Sequence, residues 1–79
     1  MIKVIIAGSE DQYVRCLKEN NLRRDQVPYI RYPNQIDRIT ESIEPIYYGT
    51  FYHNPALDEI ERRMRAKGIK VRGEYIKNE

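Results

Sequence analysis

The chain has 79 residues, 41% hydrophobic and 33% charged, and a formal net charge of +2 from 14 Lys and Arg against 12 Asp and Glu. That length fits one small domain with a modest core, helped by self-association if its own stability is marginal, and the charge is too balanced to imply nucleic-acid binding by bulk electrostatics. A single cysteine, Cys16, excludes an intrachain disulfide and suits a reducing compartment; no apolar run approaches the ~20 residues of a membrane span and the start lacks a signal-peptide layout, so a cytoplasmic protein is expected.

The opening run Ile2-Lys3-Val4-Ile5-Ile6-Ala7 is nearly continuous in apolar residues and stops at Gly8-Ser9. Such a run predicts a central parallel strand covered on both faces. Ser9 fits a helix N-cap, with Gln12 three residues on to complete a capping box, and Glu10 and Asp11 fall where the helix dipole favours acids. Tyr13, Cys16 and Leu17 form one apolar stripe, and Asn20-Asn21 ends the helix.

Val27-Pro28-Tyr29-Ile30-Arg31-Tyr32 predicts a second strand, bounded by Pro33-Asn34. Pro28 cannot donate to a ladder, so this strand is expected to lie at an edge or to start there. Ile36, Ile39 and Ile43 recur at helical spacing, and Pro45 is expected to stop that helix. The third strand is expected over 46–52, interrupted by Gly49 at a bulge or close approach. Asn54 as N-cap and Pro55 at the first position open a helix with a Leu57, Ile60, Met64 stripe, stopped by Gly68. Residues 69–75 alternate cleanly, which predicts a fourth strand at an edge, and the tail Lys77-Asn78-Glu79 is expected to fray.

The sum is βαβαβαβ, a three-layer α/β fold in one domain over 1–79. Right-handed crossovers give a mostly parallel four-stranded sheet of order 2-1-3-4, with an antiparallel fourth strand as the open alternative.

In such a sheet, ligands gather beyond the carboxyl ends of the strands where the order reverses. That point would bring Gly8, Ser9, Glu10 and Asp11 together with Tyr52, His53 and Asn54, flanked by Tyr32 and Asn34. The turn has one glycine where a dinucleotide fingerprint needs several, and Glu10 and Asp11 put two carboxylates where a phosphate would dock. Catalysis would have to use His53, the only histidine, oriented by Glu10 or Asp11, with Ser9 as nucleophile. Capping and strand-end roles account for Ser9 and His53 more simply, so no catalytic residue is assigned. Cys16 reads as a small core hydrophobe, and one His and one Cys at no recognised spacing give no metal or cofactor site.

From Arg62 to Arg72 the chain carries Arg62, Arg63, Arg65, Lys67, Lys70 and Arg72 with no acid between them. The plain reading is cations at the negative end of a helix and on a solvated strand. The alternative is a phosphate contact through Arg62, Arg63, Arg65, Lys70 and Arg72. Seven tyrosines in a chain without tryptophan read as wedges between sheet and helices with wet hydroxyls, or as a protein-contact surface.

Several segments together carry a family likeness: Val4-Ile5-Ile6-Ala7-Gly8, Gln12-Tyr13, Leu17-Lys18-Glu19-Asn20, Tyr29 to Pro33 with Asn34-Gln35-Ile36, and Tyr48-Gly49-Thr50-Phe51-Tyr52. They resemble small uncharacterised Rossmann-like proteins encoded by bacteriophages. The resemblance implies a Rossmann-like fold and a small intracellular accessory protein of phage or prophage origin, in the host cytoplasm. That family has no established catalytic residues to carry over. The resulting expectation is a non-enzymatic accessory or regulatory protein that binds another protein and self-associates as a homo-oligomer, without cofactor or membrane. A nucleic-acid contact and a degenerate nucleotide- or metabolite-binding domain are the alternatives.

Overall fold

The computed structural model describes residues 2–76. In chain order these form β1 (Ile2–Ala7), α1 (Glu10–Glu19), α2 (Asn34–Arg38), β2 (Ile43–Tyr48), a single 3₁₀ turn (Phe51–His53), α3 (Leu57–Ala66) and β3 (Glu74–Ile76). The expected fraying of 77–79 lies outside the described residues.

β1 pairs parallel with β2 from Ile2 opposite Ile43 to Ala7 opposite Tyr48, and β2 pairs parallel with β3 from Ile46 opposite Glu74 to Tyr48 opposite Ile76. Successive side chains of a strand point to opposite faces, and β1 shows what that does to an unbroken apolar run. Val4 and Ile6 pack with Ile36 of α2 and Leu57, Ile60 and Met64 of α3, whereas Ile5 and Ala7 pack with Tyr13, Cys16 and Leu17 of α1. Val4 through Ala7 are wholly buried, so this stretch of the strand needs apolar residues at every position. Helices therefore cover both faces of the sheet. No helix among the described residues is long and apolar enough to cross a membrane.

The predicted four-stranded sheet is not completed. The 27–32 segment lies along the free edge of β1 but contributes one parallel bridge, Ile5 with Tyr29. The Ile5 N–H donates to the Pro28 carbonyl at 3.0 Å and the Ile30 N–H to the Ile5 carbonyl at 2.9 Å. Beyond that point a side chain takes the place of a neighbouring strand. Gln35 Oε1 accepts from the Arg31 and Tyr32 N–H groups at 2.6 and 2.7 Å, and its Nε2 donates to the Tyr29 carbonyl at 2.9 Å. Backbone groups satisfied this way need no ladder.

Three other boundaries move. Ile43 opens β2 rather than closing a helical stripe, and α2 stops at Arg38 with Ile39 extended. Pro45 lies inside β2, where β1 is on one side and β3 has not yet begun, so its missing N–H breaks no ladder on that side. β2 ends at Tyr48 because Gly49, at φ 57°, turns the chain through the left-handed region into the 3₁₀ turn. The fourth predicted strand shrinks to Glu74–Ile76 and is parallel, which closes the antiparallel alternative. Ile69 and Val71 alternate because both lie partly buried against the α3 side of the core from a loop.

Candidate functional site

The carboxyl end of β1 leads through Gly8 to Ser9, whose extended backbone starts α1 and whose Oγ accepts from the Gln12 N–H at 3.3 Å. Gln12 reaches back to the Gly8 N–H at 3.1 Å, one residue short of the expected capping box, and its amide nitrogen donates to Thr50 Oγ1. Thr50 thus plugs the gap between the ends of β1 and β2. A Cβ on Gly8 would lie within contact of both its carbonyl and its hydroxyl oxygen. The crevice predicted between those two strand ends is closed there.

Asn54 is the second stitch. Its side chain is 4% exposed; Nδ2 donates to the Ala7 and Ile30 carbonyls at 3.2 and 3.3 Å, and Oδ1 accepts from the Ala56 N–H at 2.9 Å. It turns the chain before α3, which begins at Leu57 instead of Pro55. With its amide so occupied, Asn54 ties β1, the 27–32 segment and the entry to α3 together.

An open groove does lie at this end of the sheet, displaced to the other flank of β1. It has a volume of about 490 Å³, with Gly8, Ser9 and Glu10 on one wall, Tyr29, Arg31 and Tyr32 on another, and Asn54, Pro55 and Ala56 closing it. Of the predicted site residues it gathers Gly8, Ser9, Glu10 and Asn54, with Tyr32 as the flank. Asp11, Tyr52 and His53 are not on its walls. His53 is exposed and sits edge-on to Tyr52, ring centres 4.7 Å apart, and no hydrogen bond joins it to Ser9 among the described residues. Burial pushes the Cys16 thiol up, as suits a core position. Among the described residues no group of three or more His, Cys, Asp and Glu side chains is placed to hold a metal ion.

Several cations of the basic segment pair with acids while their side chains stay largely exposed. Arg62 and Arg63 pair with Glu59 at 3.0 and 3.3 Å, and Arg63 also with Asp37. Arg65 and Arg72 both face Glu61, Arg72 at 2.8 Å, and the Lys67 ammonium donates to the Ile39 carbonyl at 2.8 Å. Lys70, in the loop after α3, is the remaining cation of the set.

Sequence reasoning missed Glu61, a carboxylate only 2% exposed that accepts from the Tyr47 hydroxyl at 2.8 Å and from Arg72. It also left the tyrosines undivided. Tyr13, Tyr47 and Tyr48 are buried, their hydroxyls bonded to the Val27 carbonyl, Glu61 and Glu19 at 2.7, 2.8 and 2.8 Å. Among the described residues, Tyr32, Tyr52 and Tyr75 are the large apolar side chains left exposed, at 57, 61 and 49%. Tyr52 and Tyr75 both pack edge-on against Phe51, ring centres 5.6 Å apart, and the Arg72 guanidinium lies 5.7 Å from the Phe51 ring. Tyr32 has Arg31 over its face at 5.6 Å.

Compared with known proteins, the chain matches no family model, and no curated protein or solved structure is significantly similar to it.

Proposed function

We propose that the chain is a small accessory or regulatory protein, of the phage or prophage type its sequence resembles, that acts in the cytoplasm by binding another protein and catalyses no reaction. The observation that carries this reading is the placement of Tyr32, Tyr52 and Tyr75. All are largely exposed and all stand at the end of the sheet where β1 and β2 finish. Tyrosine and arginine are the residues that anchor protein interfaces, because a rigid ring gives large contact area at little cost in side-chain entropy. All three rings lie beside an arginine or an arginine-capped phenylalanine, which supplies the mixed apolar and charged character of such anchors. The rest of the fold serves as a rigid scaffold for this rim.

The nucleic-acid reading through Arg62 to Arg72 is weaker, since Arg62, Arg63, Arg65 and Arg72 already have carboxylate partners. A photo-crosslinking side chain placed at Tyr32 or Tyr52, with Glu41 at the opposite end of the sheet as control, tests the choice. A discrete protein adduct from the first two positions and none from the third is expected. No adduct, equal adducts from all three, or adducts to nucleic acid would overturn the proposal.

A further inference from the structure

A second hollow, of about 300 Å³, adjoins the groove beside the β1–α1 turn. The two share Glu10, Tyr29, Arg31 and Tyr32, so these four residues stand at the waist of one bent recess. Each part is of a size that small ligands occupy, ~300–1,000 Å³.

Two features make this recess more than a dimple. Its wall is held rigidly: Gln35 fixes the backbone at Tyr29, Arg31 and Tyr32, and Tyr29 is stacked on Tyr13 with ring centres 5.1 Å apart. Tyr13 is in turn anchored through its hydroxyl. A wall fixed before the ligand arrives loses little entropy on binding. The waist also carries one carboxylate and one guanidinium, while the Arg24 guanidinium borders only the smaller hollow, 5.2 Å from the centre of the Tyr13 ring; among the described residues neither Glu10 nor Arg31 takes part in an ion pair.

We propose that the recess binds a free aromatic α-amino acid. The ligand α-ammonium meets the Glu10 carboxylate, the α-carboxylate takes the Arg31 fork in a charge-assisted pair, and the ring lies against Tyr29. Charges of opposite sign bordering the same two hollows match a compact zwitterion. A nucleotide carries its phosphate well away from the hydrogen-bonding edge of its base, and Glu10 would repel that phosphate at the helix start. This proposal stands apart from the partner-binding reading, since it needs no second protein.

The test is a titration of the isotope-labelled protein with L-phenylalanine, followed by amide chemical shifts. Saturable shifts centred on residues 8–13 and 29–35 are expected. Blocking the ligand ammonium (N-acetyl-phenylalanine) or its carboxylate (phenylalaninamide) should weaken binding at least tenfold. Glu10→Gln should weaken phenylalanine binding at least tenfold yet leave the acetylated analogue nearly unchanged, and Arg31→Gln should do the same with the amide. Arg31→Lys, which keeps the charge and loses the fork, supplies an intermediate value and a second reading if the glutamine variant folds poorly. No saturable shift up to the solubility of phenylalanine overturns the proposal. So do affinities unchanged in both variants, or tighter binding of guanosine 5′-monophosphate than of phenylalanine.

Discussion

A Cβ on Gly8 would collide with the Thr50 carbonyl oxygen and stand 2.9 Å from its hydroxyl oxygen. The nearer atom is backbone, which cannot swing aside as a flexible side chain would. Gly8→Ala therefore pushes the loop after β2 away from the β1–α1 turn and strains the Gln12–Thr50 bond with it. Overpacking of this kind costs about 1–3 kcal/mol, which in a domain this small lowers Tm by roughly 4–8 °C per kcal/mol. Thermal unfolding followed by circular dichroism checks it; an alanine variant as stable as the parent would show that the contact is soft.

Glu61 governs the acid side. Burial alone would raise its pKa, but hydrogen bonds from Arg72 and Tyr47 and the Arg72 charge outweigh that and hold the carboxyl below its ordinary value. A group depressed in the fold contributes stability that is present above the unfolded value of about 4.3 and is lost as pH falls through the folded one. Urea unfolding between neutral pH and strong acid should thus lose stability below about pH 4.3. Glu61→Gln should be less stable at pH 7, by about 1–3 kcal/mol, and the gap to the parent should close in acid. A gap of constant size would mean that the carboxylate charge contributes nothing.

Tyr48 acts on the alkaline side. Burial, and then its hydrogen bond to Glu19, push the hydroxyl up to about 12. A raised group gives stability that is complete below its unfolded value of about 10 and is lost as pH climbs through the folded one. Tyr48→Phe should cost about 0.5–1.5 kcal/mol at neutral pH, with the difference from the parent shrinking between about pH 10 and 12. Burial also raises Tyr47, Tyr13 and Tyr29, so tyrosinate absorbance should develop late for these rings, and early ionisation of all seven would contradict the packing.

What the sequence made legible was local. The double-sided burial of β1 follows from its composition, and the start of α1 from Ser9 and Gln12. The end of α3 follows from Gly68, whose N–H donates to the Arg65 carbonyl at 2.9 Å while Ile69 closes on Met64 at 2.9 Å. What it hid was set by partners distant along the chain. Ile43 fits a helical stripe as well as a strand, and the register opposite Ile2 decides between them. The 27–32 segment has strand composition, yet Gln35 satisfies its backbone in place of a ladder. Thr50 carries no motif, so the plug at the strand ends could not be read. Glu61 looked like one more surface acid of α3 because its partners, Tyr47 and Arg72, are fourteen and eleven residues away.

The Gln35 clip is testable by exchange. Gln35→Ala leaves the Arg31 and Tyr32 N–H groups to water and removes the donor on the Tyr29 carbonyl. The loss in global stability should be about 1 kcal/mol, because the freed groups are near solvent. Amide hydrogen exchange should instead accelerate strongly at residues 31 and 32 while β1 and β2 keep their protection. Uniform acceleration over the whole sheet would show that the clip supports the fold and not merely this wall.

Asn54 gives the sharpest contrast between size and chemistry. Asn54→Ala removes bonds to the Ala7 and Ile30 carbonyls and the Ala56 N–H from a buried position, an expected loss of about 1–3 kcal/mol. Asn54→Asp keeps the shape but sets a carboxylate oxygen against those two carbonyl oxygens, with no cation among the bonds made there. An unpaired buried charge costs more than a missing amide, so the aspartate should be the worse variant at pH 7, by about 3 kcal/mol or more against the parent. The fold would favour its neutral form, raising its pKa above the unfolded value of about 3.9. The deficit of the aspartate relative to the alanine variant should therefore shrink as pH falls, when both are unfolded by urea at matched pH. An aspartate variant equal to alanine at neutral pH would mean that water reaches the stitch between β1 and the entry to α3.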